Sequence, residues 1–179
     1  MTREQLEHVV RAAAAITGDS EIVVIGSTAI LGQFPNAPAE MLGSIEADIY
    51  PRNHPERFDW LDVIGEMSPF QDSFGYYADP VQHDLPKLPS GWMDRLIPVR
   101  VPTQGDPVSG LCLEVHDLVL SKYVASRQKD RAFNRAAIRH GFVQRDVLLD
   151  RLGSMDVDPA IRQILRERIE GDFSRPHDT

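Results

Sequence analysis

The stretch that most restricts what this chain can become runs from Ile22 to Pro51. Ile22-Val23-Val24-Ile25 is a β-branched apolar run with the length and composition of a buried strand. Gly26-Ser27 ends it, and a helical-looking segment over 28–31 follows. After a loop rich in Pro, Asn and Gly, residues 45–50 read as a second strand carrying Glu46 and Asp48. Residues two apart on a strand point to one face, so these carboxylates stand side by side. Like charges that close disfavour joint ionisation unless a cation shares them. A strand bearing Glu-x-Asp beside a Gly-Ser turn therefore fits a site for a metal ion and phosphates.

Each half of the pattern has a plain structural reading as well. Gly26 is either a tight strand-to-helix connector, common in α/β proteins, or a point where backbone approaches a phosphate, with helix N–H groups and the Ser27 hydroxyl as donors. Glu46 and Asp48 are either ligands or the solvated face of an edge strand whose Ile45, Ala47 and Ile49 turn inward.

Around this core the sequence predicts a succession of elements. Residues 2–16 read as a helix capped by Thr2, with Gln5 at the reciprocal position of a capping box and Gly18 as the stop. Leu6, Val9, Val10, Ala13 and Ala14 form its apolar stripe. Residues 53–67 read as a helix with Phe58, Leu61, Val63 and Ile64 inward, and 73–81 as a third strand ending at Asp79-Pro80. Asp79 either opens that turn or supplies a further carboxylate. Residues 83–92 are proline-rich and irregular. Residues 95–101 resume as a strand whose Pro98 argues for an edge position or a bulge. The polar loop 103–110 is the expected boundary, within one domain spanning 1–173, between an α/β core (19–103) and a helical part (114–171).

The helical part opens with a short extended run over 111–115 and one long helix from His116 or Asp117 to His140. Lys122, Ser126 and Lys129 follow i, i+4, i+7 spacing along one face, with Arg127 and Asp130 close by. Leu118, Val119, Val124, Ala125 and Phe133 supply the buried side. Such a charge run is either an ordinary solvated helix face or, set beside a carboxylate pair, the basic wall of a phosphate site. Residues 144–152 and 159–169 read as amphipathic packing helices, the first with Leu148, Leu149 and Leu152 inward. The second turns Ile161, Ile164, Leu165 and Ile169 inward, and 174–179 read as a frayed tail.

Composition narrows the classes. A chain of 179 residues, 42% hydrophobic and 26% charged, fits one soluble domain. Its net charge of -8 excludes a broadly basic nucleic-acid footprint. Cys112, the single cysteine, excludes an internal disulfide and a cysteine-based zinc framework. His8, His54, His83, His116, His140 and His177 lack metal-ligand spacing and read as surface or ordinary structure. Tyr76, Tyr77, Trp60 and Trp92 either stack on a base or pack in the core, the more frequent fate. No apolar run approaches the roughly 20 residues of a membrane helix, and no signal-peptide pattern is present, which makes the cytoplasm the expected location.

Gly26-Ser27 at a strand end, followed on the next strand by Glu46-x-Asp48, resembles the opening motif of the polymerase-β-like nucleotidyltransferase superfamily. The helical K-x4-R-x-K-D of Lys122, Arg127, Lys129 and Asp130 is similar to the later motif of its minimal branch, which includes the AbiE-type toxins of bacterial toxin–antitoxin pairs. The resemblance spans residues 22–152 and implies a nucleotidyltransferase-like α/β (α+β) fold, a mixed sheet with a helical C-terminal part. It implies metal-dependent transfer of a nucleotidyl group from a nucleoside triphosphate to a protein side chain, an RNA end or a small molecule, with an antitoxin as an expected partner. By the same resemblance Glu46 and Asp48, with Asp79 as a further ligand, would hold Mg2+ or Mn2+. Gly26 and Ser27 would hold the terminal phosphates. Lys122 would balance triphosphate charge, and Arg127, Lys129 and Asp130 would shape the pocket. Glu46 stands where the family more often has Asp, and Arg100 occupies the 95–101 strand expected to carry a third acid, leaving Asp79 or Glu114 as substitutes. The rival expectation is a catalytically silent relative that binds a nucleotide or a partner protein. The catalytic expectation turns on Lys122 sharing a cleft with Asp48.

Overall fold

Thr2 starts the first helix, α1 (Arg3–Thr17): its hydroxyl accepts the Gln5 N–H, while the Gln5 side chain accepts the Thr2 N–H. Gly18 closes the helix at φ +67°. In this computed structural model, which describes residues 1–84 and 87–175, the chain continues through β1 (Glu21–Val24), a 3-10 turn over Ser27–Gly32 and β2 (Glu46–Pro51). A 3-10 stretch over Pro55–Ile64, α2 (Pro69–Phe74), β3 (Tyr77–Pro80), β4 (Ile97–Val101) and β5 (Val108–Cys112) follow. The remainder is helical: α3 (Val115–Ala125), α4 (Gln128–Arg139), α5 (Arg145–Gly153) and α6 (Pro159–Ser174). Two compact units result, one of residues 1–86 with 95–114 and one of 87–94 with 115–179.

The first unit is a five-stranded mixed sheet in the order β3-β2-β1-β5-β4. β1 runs antiparallel to β2 and parallel to β5; β2 and β3 are parallel, and β4 and β5 antiparallel. One face carries Ile22, Val24, Ala47, Ile49 and Ala78, all fully buried. α1 covers that face with Leu6, Val9, Val10 and Ala13. Each large side chain buried this way contributes roughly 1.5–3 kcal/mol. Gly110 is small because Val10 lies against it: a Cβ there would sit 3.1 Å from Val10 Cγ2. Cys112, also fully buried, faces Gly32, where a Cβ would come within 2.5 Å of the Cys112 Cβ. The strand period then sends Glu46 and Asp48 to the face away from α1.

Several elements differ from the sequence expectation. Residues 55–64 form a 3-10 stretch, with three residues per turn, so Phe58, Leu61 and Ile64 align while Val63 is 63% exposed. The expected strand over 73–81 begins only at Tyr77, because Ser68 caps a short helix, Pro69 opens it and Gly75 ends it at φ +76°. Loop 103–110 gives way at Val108 to β5, which joins β1 with β4 inside the sheet. β4 is an edge strand, as Pro98 suggested. Ile45 is half exposed just before β2 rather than turned inward, and Trp60 is half exposed under the Arg57 guanidinium.

The second unit is built on α3 to α6, with Leu118, Leu148, Leu152, Met155, Leu165 and Ile169 buried. Asp117 and Arg151 pair at 2.9 Å, and His116 bonds Gln144, so this histidine is buried structure. The single helix expected up to His140 is two. α3 ends at Ala125, Ser126 takes φ +56°, Arg127 is extended, and α4 begins at Gln128. Ala125 is exposed at this break rather than buried, and Ile161 and Ile164 of α6 are also substantially exposed. No helix among the described residues is long and apolar enough to cross a membrane. His177 and most of the expected tail lie outside the described residues.

Candidate active site

The ladder between β1 and β2 runs one residue past β1, with the Ile25 N–H donating to the Asp48 carbonyl at 3.0 Å. The chain then bends at Gly26. Its φ of -79° and ψ of -163° are open to any residue, so dihedral strain is not the reason for glycine. Space is the reason: a Cβ on Gly26 would overlap the Asp48 carboxylate. The Ala29 N–H donates to the Gly26 carbonyl at 2.9 Å and closes the 3-10 turn that opens with Ser27. Arg3 of α1 steadies the far end of that turn by donating to the Leu31 carbonyl at 2.5 Å.

β3 lies beside β2 in parallel register, pairing Glu46 with Tyr77 and Asp48 with Asp79. Paired residues share a sheet face, so Glu46, Asp48, Tyr77 and Asp79 all emerge on the side away from α1. The Tyr77 hydroxyl donates to Glu46 Oε2 at 3.1 Å. Burial pushes the Tyr77 phenol up to about 12, helped by the hydrogen bond and charge of Glu46 and by the charges of Glu66 and Asp79. The hydroxyl therefore keeps its proton at ordinary pH and remains a donor that orients Glu46. The strand flanking β2 is β3, so the neighbouring carboxylate is Asp79. β4, with Arg100, forms the opposite edge, and Glu114 follows β5. Among the described residues no three His, Cys, Asp or Glu side chains gather into a metal cage. A magnesium ion held by one or two carboxylates plus substrate phosphates does not need one.

The basic residues belong to the second unit. Lys122 is buried; its ammonium lies 3.4 Å from Asp130 Oδ1 and 4.6 Å from the centre of the Phe133 ring. Arg127 donates through Nε to Asp130 Oδ2 at 2.7 Å and through its backbone N–H at 3.2 Å. Burial alone would raise the Asp130 carboxyl, but the Arg127 hydrogen bonds and the Lys122 charge hold it below the usual carboxylate range. Asp130 thus caps the start of α4 and joins Lys122 to Arg127. Lys129 is exposed in the first turn of α4, and the break at Ser126 removes the shared face on which Lys122, Ser126 and Lys129 were expected.

The structure therefore brings Gly26 against Asp48, sets Asp79 in register with Asp48, and groups Lys122, Arg127 and Asp130. Tyr77, read from sequence as a base-stacking or core residue, takes a different role here as the donor to Glu46. Its signal is the spacing itself, since Tyr77-x-Asp79 repeats the Glu46-x-Asp48 interval. The chain matches, over residues 4–170, the family described as "Nucleotidyltransferase of unknown function (DUF6036)". No curated protein and no solved structure matches it.

Proposed function

The chain belongs to this family of nucleotidyltransferases, and from that premise we propose that it moves a nucleotidyl group from a nucleoside triphosphate to a protein side chain, an RNA end or a small molecule. The acceptor's hydroxyl or amine attacks the α-phosphorus, its proton passes to water, and pyrophosphate leaves. The observation that carries the reading is the Gly26–Asp48 contact. It makes the Gly-Ser bend and the acidic strand one built feature, since the bend has space for the carboxylate only without a side chain.

The residues fit magnesium, or manganese in its place: Glu46, Asp48 and Asp79 are hard oxygen donors that emerge on one sheet face, and one or two of them with the substrate phosphates suffice for such an ion. Bound by them, the ion would offset phosphate charge and orient the triphosphate. Tyr77 keeps Glu46 aligned, and the Ser27 hydroxyl and nearby backbone N–H groups receive terminal phosphates. The likeness to AbiE-type toxins extends the proposal to a toxin restrained by a partner antitoxin.

Incubation of the protein with magnesium, each labelled triphosphate and total cellular RNA or protein tests the reading. Label is expected to pass to an acceptor, and Asp48→Asn to reduce transfer at least about a hundredfold, the scale on which removing charge stabilisation acts. Triphosphate binding with no transfer, unchanged in Asp48→Ala, would instead identify a silent binding protein.

A further inference from the structure

The helical unit contains a cavity of about 180 Å3 formed by α3, α4 and α6. Its lining is basic although the chain as a whole carries a net charge of -8. Arg131 and Arg135 come from α4, Arg168 from α6, and Arg175 from the residue after it. The carboxylate among them is Asp172, which accepts the Tyr123 hydroxyl at 3.1 Å and pairs with Arg175 at 3.3 Å. Lys122 borders the cavity, with its ammonium beside Asp130.

Two details make this more than a charged surface. Ser126 is held at φ +56°, a conformation uncommon outside glycine and often kept where a site requires it. There its hydroxyl oxygen accepts from Arg131 Nε at 3.3 Å, Arg131 Nη2 at 3.2 Å and Arg168 Nη1 at 2.7 Å. Arg131 Nε also donates to the Ser126 carbonyl at 3.2 Å, so two guanidinium groups from different helices converge on the neutral oxygens of one serine, which cannot offset their repulsion. An oxyanion could. Asn134 is the second detail. It lines the cavity at 1% exposure, and its Nδ2 donates to the Val119 carbonyl at 3.3 Å, which fixes the orientation of the amide. Its Oδ1 is then a buried acceptor with no donor among the described residues. Such an acceptor is unfavourable unless a ligand supplies the proton.

We propose that this cavity binds a small phosphomonoester that also carries a hydroxyl or amine. Arg131, Arg135 and Arg168 take the phosphate, and Asn134 Oδ1 accepts from the hydroxyl or amine. Charge favours a phosphate: among the described residues four guanidiniums face one carboxylate, a balance that suits a dianion better than a second carboxylate. Size favours a small ligand, because pockets for drug-sized molecules run from about 300 to 1,000 Å3. A phosphosugar suits the volume and a whole nucleoside triphosphate does not, so this is a second site that does not rest on nucleotidyl transfer.

Calorimetric titration of the full chain without divalent metal tests the proposal, with inorganic phosphate, ribose 5-phosphate and AMP as probes. Ribose 5-phosphate should saturate one site and bind at least about tenfold tighter than inorganic phosphate. Arg168→Ala should weaken it by about tenfold or more, with Arg168→Gln as the second variant where circular dichroism shows the first misfolded. Asn134→Leu should bring ribose 5-phosphate down to the level of inorganic phosphate, while Arg166→Ala, on the same helix but outside the cavity, should leave binding unchanged. AMP binding as tightly as ribose 5-phosphate would name a nucleotide as the source of the phosphate, and weaker AMP binding a free phosphosugar. Absence of saturable binding, or equal losses from Arg166→Ala and Arg168→Ala, would overturn the proposal.

Discussion

Gly26 and Gly75 show two separate reasons for glycine. At Gly26 the Asp48 carboxylate fills the space of a side chain, so Gly26→Ala must displace one or the other. A loss of about 1–3 kcal/mol is expected from such overpacking, read as a lower urea midpoint, together with loss of transfer. At Gly75 nothing lies within 4 Å of a would-be Cβ, and φ is +76°. Gly75→Ala therefore isolates backbone strain, about 1–2 kcal/mol in the same measurement. Tyr77 acts through a partner: Tyr77→Phe keeps the ring and removes the donor to Glu46. Manganese titration followed by electron paramagnetic resonance should show affinity lowered about tenfold in a folded protein. Unchanged affinity would remove Tyr77 from the site.

At the scale of elements, the pattern was readable wherever period and caps agree. The Thr2-Gln5 box, the α1 stripe and Gly18 define one helix at both ends, and alternation along β2 separates Ala47 and Ile49 from Glu46 and Asp48. Readability fails where tertiary partners decide. Residues 115–139 contain neither Gly nor Pro, so no local breaker announces the division into α3 and α4. The division is held by Asp130, which takes the Arg127 N–H and the buried Lys122 ammonium. Asp130→Asn removes the charge that pairs with this buried ammonium at 3.4 Å and should destabilise the helical unit by about 3–5 kcal/mol in urea unfolding. β5 was hidden for a related reason: Ser109-Gly110 looks like loop, yet Gly110 is where Val10 packs.

For the molecule as a whole, strand order is what a linear reading cannot supply. Asp79 neighbours Asp48 only because β3 joins the sheet beside β2, while the later strand β4 goes to the other edge. The cavity arginines are hidden likewise, since two helices far apart in the chain, α4 and α6, bring them together. Among the described residues, each unit carries an acid-sensitive carboxylate. Burial alone would raise Asp19, but the N–H groups of Glu21, Asn53 and His54 and the Asn53 amide hold it below the usual range, as Arg127 and Lys122 do for Asp130. Both ionise at lower pH folded than unfolded. Their stabilisation is complete above the unfolded value of about 4 and is lost as pH falls through the folded values. Urea midpoints measured from about pH 6 down to about pH 3 should fall accordingly, and Asp19→Asn should flatten the decline. Cys112 gives the same molecule an internal clock. Its thiol is fully buried in β5 and pushed up to about 12 by that burial, so an alkylating reagent finds it only when the sheet opens. The rate of maleimide labelling then reports how often β5 parts from its neighbours, with no engineered probe.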